Sequence, residues 1–466
     1  MAIANLALLV AGLVRTKVVA VDLGVSASGL FAQLQTLATF ASALASLGLV
    51  NVAVREVSVA DAAGDVDAVR RVVTTVALAP AALAAALLPL VWLLRTPLTA
   101  ALLSSNEPTA WVVETLSSVP FAVAAGAAVA VHQGLRLTRR LATAAAVATV
   151  LSIAVTIGLI EAFGEDGAVW TLPAAAAVDA LVLLASVAQV LSWRWLPRLA
   201  PRATTRRLLV WGAASLAALT LTLLGDLLVR SVAVHELGAR ANGLYQPVYL
   251  LSNSGFVQIG NAVGVVLLAS LSGLVSEANR AQASEVLNGA IRAGVAIVVA
   301  LGLICIGCRS LLLVALASSA FTGGSGLLAL QIIGEVPRMG AYAAGAALLP
   351  LGRVKAWLAC GVTASVVRVA TCLALIPELG VRALAASYVL EWSIVCGAAF
   401  LATRRDSIRA VPRAWGVIAA GTATLAIAAT GTLLPSPWDV GVVMLLIVIW
   451  LRVNAPVLRR LARRAV

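Results

Sequence analysis

Charge is scarce in this chain of 466 residues: Asp, Glu, Lys and Arg together make up 11% of it, aromatic residues 5%, and there are two histidines and five cysteines. So few charges cannot cover a surface that faces water, where roughly a quarter of residues are ordinarily charged. A soluble enzyme, a disordered chain and a nucleic-acid-binding domain are excluded on that ground. The apolar runs are about 20 residues long, enough to cross a ~30 Å hydrocarbon layer, and they lack the ten-residue alternation of a transmembrane barrel. Cys305, Cys308, Cys360, Cys372 and Cys396 all fall in apolar stretches, so no disulfide scaffold is implied. The Cys305-x-x-Cys308 pair has no second set of ligands and reads as small buried packing residues. His132 and His235 are too few for a metal cluster, and no metal site is expected. What is abundant is Ala, Leu and Val: 62% of the residues are hydrophobic and the mean hydropathy is +1.03.

The expected class is an all-α polytopic membrane protein with about 14 transmembrane helices. Runs bounded by charge and turn residues lie at 3–23, 29–52, 72–94, 109–131, 141–161, 168–191, 208–234, 243–271, 290–315, 323–350, 356–376, 380–401, 413–434 and 438–454. Residues 1–14 lack a basic start and a small-residue cleavage site, so the first run reads as a retained span. With both termini in the cytoplasm, twenty-four of the thirty-three Lys and Arg residues fall on the inner side, among them Arg70, Arg71, Arg139, Arg140, Arg194, Arg198, Arg405 and Arg409. Arg95, Arg240, Arg309 and Arg382 fall outside, and five fall within spans. That asymmetry is the topology signal of a cytoplasmic membrane protein, and it accounts for the net charge of +13.

The chain repeats itself. DLGVSASGLF (Asp22 to Phe31) returns as ELGARANGLY (Glu236 to Tyr245) at an offset of 214; Gly134 and Gly352 open similar basic turns, and Gly164 and Gly380 precede similar spans. The expected organisation is a six-helix bundle over 1–207, a second copy over 208–412, and two extra helices with a basic tail over 413–466. Six is even, so the copies enter the membrane in the same sense and are related by an axis along its normal, with a cleft where they face each other.

Ionisable residues within spans are expensive and point to function. Arg15, Lys17, Arg230 and Arg338 are candidates for holding a diphosphate, because a guanidinium fork binds phosphate oxygens bidentately. Arg15 and Lys17 are two positions apart and cannot both face the cleft squarely, so one snorkels. Asp226, Glu335, Glu391 and Arg368 are candidates for ion coupling or gating. Asp226 with Arg230, and Glu335 with Arg338, have the i,i+4 and i,i+3 spacing of intrahelical ion pairs. Such a pair is either a structural neutralisation or a carboxylate that exchanges arginine for H⁺ or Na⁺. Arg55 sits at the cytoplasmic entrance. Glu114 and Asp179 are weaker candidates. Gly260 and Gly264 form a GxxxG that marks close helix packing, and Gly323, Gly324, Gly326 and Pro337 permit a bent helix. The sequence contains no nucleophile elbow, phosphate loop or metal motif, and the class expected is a transporter without cofactor, not an enzyme.

VRTKVVAVDLG and GLFAQLQTL (Val14 to Leu37), the pattern of Arg230, Gly238, Gly243, Gln246 and Ser252, and LQIIGEVPRMG with Gly334, Glu335 and Arg338 resemble the Wzx-type lipopolysaccharide/O-antigen flippases, common-antigen translocases among them, of the multidrug/oligosaccharidyl-lipid/polysaccharide exporter superfamily. Tyr245 stands beside the place of a usual Trp, and VLLASLS (Val265 to Ser272) lacks the usual Tyr-Leu-Pro. The resemblance implies export of an undecaprenyl-diphosphate-linked glycan across the bacterial inner membrane by alternating access, alongside polysaccharide polymerase machinery. Arg15, Arg230 and Arg338 would hold the diphosphate, while helices 13 and 14 line a groove for the lipid tail. The alternatives are a lipid II flippase for peptidoglycan, a cation-coupled multidrug exporter, and a membrane polysaccharide polymerase or ligase.

Overall fold

The computed structural model describes residues 2–103, 107–191, 201–272, 274, 280–404, 412–432 and 438–465, all helical or in the turns between helices. Arg194, Arg198, Arg405 and Arg409 of the topology argument lie outside the described residues. The chain forms two compact units, Met1–Gly243 and Leu244–Val466.

The first unit contains α1 (Ala2–Asp22), α2 (Gly24–Ala45), α3 (Leu49–Ala62), α4 (Val66–Leu93), α5 (Arg95–Leu102), α6 (Ala110–Ser117), α7 (Val119–Gly134), α8 (Thr138–Leu191) and α9 (Arg202–Leu237). α8 reverses at Gly164, whose φ of 59° and ψ of −126° are foreign to a helix, so the two expected runs 141–161 and 168–191 are its two limbs. Val57, Val72, Val131 and Leu141 form one buried cluster, and Phe31, Leu34, Trp111 and Leu227 another. α9, expected as the first helix of the second copy, packs on α2, α3 and α5 within this unit. The compact boundary therefore falls 36 residues beyond the repeat boundary at 207/208.

The second unit begins within α10 (Ala239–Leu250) and continues through a π-helical turn (Leu251–Phe256), α11 (Val257–Ser272), α12 (Arg280–Gly307), α13 (Arg309–Leu316), a 3₁₀ turn (Ser319–Gly324), α14 (Ser325–Ile333), α15 (Glu335–Leu348), α16 (Val354–Leu379), α17 (Arg382–Arg404), α18 (Pro412–Gly431) and α19 (Trp438–Ala465). α12 is its axis: Leu287, Ile291, Val295 and Leu303 are fully buried, and α11, α15, α18 and α19 surround it. Trp450 of α19 donates from its indole to the Ala296 carbonyl at 3.1 Å. Gly260 and Gly264 of α11 both face α15: a Cβ built on the first would overlap the Tyr342 ring, and one built on the second would lie 3.9 Å from Ala346 Cβ.

Among the described residues, nine helices are long and apolar enough to cross a membrane. Their outward faces carry large aliphatics: Leu181 and Val265 are each 70% exposed. An apolar surface of that kind is stable only against lipid, and the chain is a multi-pass membrane protein.

Local backbone geometry recurs along the chain at offsets of 214 to 216. Gly24 and Gly238 have φ of 80° and 82°, and Gly164 and Gly380 have 59° and 52°. α5 and α13 are both eight-residue helices that start at an arginine, Arg95 and Arg309. The amide of Ser118 bonds the Thr115 carbonyl and that of Ala122 bonds Ser118; Gly334 to Gln331 and Arg338 to Gly334 repeat the pattern. The basic turns match in a register other than the expected Gly134/Gly352. The left-handed residues are Arg136 (φ 57°) and Gly352 (φ 68°). Each sits in a Schellman-type turn in which Leu137 and Arg353 reach back to His132 and Leu348. Turn geometry aligns these segments two residues away from the register that glycine matching suggests, because Arg136 occupies the left-handed position without being glycine.

Candidate functional site

The breaks that place the in-span charges follow from sequence. Pro337 has no amide hydrogen to offer the Ile333 carbonyl, and Gly334 closes a tighter turn onto Gln331 at 3.0 Å. The expected bend of this segment therefore falls at Gly334, beyond the glycine cluster at 323–326, and Glu335 opens α15. Opposite, Leu251–Phe256 widens into a π turn, a feature frequent at functional sites, which presents the Ser252 carbonyl and the Asn253 side chain to α15.

Between these elements lies a buried cation. Arg338, 5% exposed, donates from Nη1 to the Tyr388 hydroxyl at 2.6 Å and to the Ser252 carbonyl at 3.4 Å, and from Nη2 to Asn253 Oδ1 at 2.8 Å and the Tyr342 hydroxyl at 3.1 Å. Its guanidinium carbon stands 5.3, 5.6 and 5.0 Å from the ring centres of Tyr342, Tyr388 and Trp392, within cation–π reach. Glu335, 2% exposed, lies 3.6 Å away and accepts the Tyr388 hydroxyl hydrogen at 2.6 Å. The i,i+3 pair read from the sequence is thus bridged by a tyrosine that accepts from the arginine and donates to the carboxylate.

A second pair adjoins it. Arg368 of α16 stands 3.7 Å from Glu391 of α17, donates to the Tyr245 hydroxyl at 2.8 Å, and lies 5.2 Å from the Tyr388 ring centre. Tyr245 in turn donates to Gln331 at 3.2 Å. Four of the sequence candidates, Glu335, Arg338, Arg368 and Glu391, come together in one buried network of two ion pairs joined through Tyr388. At the positions 216 residues earlier, Val119, Ala122, Ser152 and Ala175 replace them, so the network belongs to the second half alone.

The remaining candidates lie in the first unit. Arg230, 2% exposed, donates to Asn242 Oδ1 at 3.0 Å, and the Asn242 amide donates to the Gly29 carbonyl at 2.7 Å. Asp226 is half-buried one turn before it. Arg15 is half-buried within electrostatic reach of Asp179, which accepts from Ser152 at 3.1 Å; the Arg15 Nε has no hydrogen-bond partner. Lys17 and Arg55 are exposed, Lys17 pointing away from Arg15 as their spacing requires. Asp179, a weaker candidate in the sequence, is an acidic group whose charge acts on this cation. Among the described residues there is no cluster of metal-ligating side chains.

An apolar groove of about 430 Å³ lies between α15, α17 and α18, lined by Pro337, Cys396, Trp415, Ile418, Thr422 and Ala426.

Sequence reading missed Tyr342, Tyr388, Trp392, Tyr245, Asn253 and Gln331. One signal was available: the chain has four tyrosines, Tyr245, Tyr249, Tyr342 and Tyr388, all in the second half. Three of them hydrogen-bond a buried arginine.

This helical architecture is the fold of the MOP-superfamily transporters. It is similar to a multidrug-resistance MATE family transporter of that superfamily in an inward-facing conformation, with a TM-score of 0.69 at 17% identity over 87% of this chain and 94% of that one. It is also similar to the lipid II flippase MurJ in an inward closed conformation, with a TM-score of 0.71 at 11% identity over 98% and 99%. A MOP-superfamily transporter from Pyrococcus furiosus gives 0.58 at 15% identity over 87% and 95%. These neighbours are transporters and flippases. No family model and no curated protein matches the sequence.

Proposed function

We propose that the chain is a flippase of the Wzx type, moving a polyprenyl-diphosphate-linked oligosaccharide, an O-antigen or exopolysaccharide repeat unit, across the bacterial inner membrane by alternating access, in service of lipopolysaccharide or other polysaccharide biosynthesis. The observation that supports a lipid-linked cargo is the extent of the likeness. The fold shared with the lipid II flippase runs over 98% of this chain, and that shared with the drug transporter over 87%. The same observation favours a second reading, export of lipid II itself.

In this reading Arg15 and Arg230 bind the diphosphate and Lys17 assists from the helix surface, while Arg55 meets the headgroup at the cytoplasmic entrance. Arg338 has both terminal nitrogens engaged within the protein, so it reaches substrate only when the network around Glu335 opens. Protonation of Glu335 or Glu391, or capture of Na⁺ by either, would release its arginine, and Asp226 offers a third carboxylate for that exchange. The groove beside α18 suits part of a polyprenyl tail, being lined mainly by apolar side chains. The reading keeps two six-helix copies followed by two extra helices, fourteen spans with both termini cytoplasmic; the recurring left-handed residues and short arginine-led helices support the duplication within it. No covalent step is required, and a polymerase or ligase has no support in the residues present.

The test is a deletion in the native host, with lipid-linked intermediates quantified by mass spectrometry and complementation by wild type or Arg230→Ala. Accumulation of an oligosaccharide on polyprenyl diphosphate in viable cells, uncorrected by Arg230→Ala, is the expected result. Lethality with lipid II build-up moves the assignment to peptidoglycan precursor export. Unchanged lipid-linked pools with increased drug sensitivity indicate the multidrug exporter.

A further inference from the structure

The end of α5 is held by three side chains from two other helices. Gln33 of α2 donates to the Leu102 carbonyl at 3.0 Å, Ser231 of α9 donates to the Ala101 carbonyl at 2.6 Å, and His235 Nε2 lies 2.8 Å from the Ala100 carbonyl. The last carbonyls of a helix have no partner within it and form its negative end. Here each of the last three is met by a donor. The other nitrogen of the same ring, Nδ1, lies 2.8 Å from the Ser231 carbonyl.

A neutral imidazole has one N–H and one lone pair, whereas backbone carbonyls only accept. Both contacts of His235 are therefore hydrogen bonds only when the ring is an imidazolium. The chain's other histidine makes the contrast: His132 Nδ1 meets the Ala128 carbonyl at 2.8 Å and Nε2 meets the Ser186 hydroxyl at 2.9 Å. A hydroxyl donates as readily as it accepts, so a neutral His132 is fully satisfied.

We infer that His235 is a proton-binding site whose occupancy latches α9 to α5. The ring is exposed, so it exchanges protons with solvent, and it sits three residues before Gly238, where the left-handed backbone ends α9. With the proton bound, the ring bridges Ser231 and Ala100. Once it leaves, one nitrogen turns a lone pair toward a carbonyl and the bridge opens on one side. The ionisable groups on the neighbouring elements are Arg95 on α5, Glu107 beyond it, Arg55, Glu56 and Asp61 on α3, Arg202, Arg206, Arg207, Asp226, Arg230 and Glu236 on α9 itself, and Arg240 on α10; α2 carries none. Both contacts are hydrogen bonds only while the ring carries its second proton, and the neutral ring keeps at most one of them. The inference stands apart from the identity of the cargo.

The test uses the full chain in lipid bilayers with ¹⁵N-labelled histidine. Two rings give two sets of signals. At about pH 5 the ring lost in His235→Gln shows two protonated nitrogens, and at about pH 9 one, while the His132 ring keeps a single N–H throughout. A His235 ring with one N–H at the acidic end overturns the proposal. Hydrogen exchange at the end of α5 and the Leu103 amide, corrected for intrinsic rates, supplies the second readout. Protection falls about tenfold between the two pH values in wild type, the scale of one charged hydrogen bond, and is independent of pH in His235→Gln. An equal change in both proteins also overturns it.

Discussion

Gly29 of α2 and Gly243 of α10 each pack against the backbone of the other's helix. A Cβ built on Gly29 overlaps the Ala239 carbonyl oxygen, and one built on Gly243 overlaps the Val25 carbonyl oxygen. Adding 214 to 29 and 25 gives 243 and 239, so the contact maps onto itself under the sequence repeat. It is the reason these positions are small: the two backbones leave no room for a methyl group.

Gly29→Ala and Gly243→Ala are each expected to lower stability by about 1–3 kcal/mol, the scale of overpacking a tight interior contact. Thermal unfolding of the purified protein in detergent, followed by tryptophan fluorescence, checks this. Gly326→Ala, at a position with open space around it, is expected to leave the midpoint unchanged.

Breaking the Arg338–Glu335 pair from one side leaves the other charge buried. Arg338→Met and Glu335→Leu should each cost about 3–5 kcal/mol, and the double variant less than the sum. A double-mutant cycle in thermal or denaturant unfolding measures the coupling. Tyr388→Phe removes the hydroxyl shared by both partners and is expected to cost about 1.5–3 kcal/mol, as for hydrogen bonds to charged groups.

The ion pair of Arg309 with Asp439, 3.3 Å apart, ties α13 to α19 near the protein surface, its side chains 17% and 14% exposed. Arg309→Met should cost no more than about 1–2 kcal/mol, less than loss of Arg338, because solvent and salt screen the pair. The difference between wild type and variant should shrink in about 1 M salt, when the Debye length falls to roughly 3 Å.

Glu107, in the connection after α5, has its carboxyl pushed above the ordinary range by burial and then by the negative charge of Glu165. A carboxyl that holds its proton more tightly folded than unfolded contributes stability below its unfolded value, and loses it as pH rises through the folded one. Glu107→Gln should therefore raise the unfolding midpoint near neutral pH and leave it almost unchanged in acid. Because Glu107 is half-exposed, the gain should stay below about 1 kcal/mol. Midpoints measured across the acid-to-neutral range in both proteins check the sign.

Membrane residence and helical class were legible in the sequence, because lipid forces backbone hydrogen bonds inside each span; glycine and proline marked where helices could break, but not which of them did. Glu335 with Arg338 announced themselves by spacing alone. Tertiary structure alone decided what those charges meet. Tyr388 lies 50 residues from Arg338 in the chain and Tyr245 lies 123 from Arg368, and no helical period links such distances. It also decided that α9 packs in the first unit, that Arg136 takes a turn position held elsewhere by glycine, and that His235 faces two carbonyls. Side-chain partners across helices depend on how the helices pack, and a one-dimensional pattern holds the cost of a buried charge but not the address of the group that relieves it.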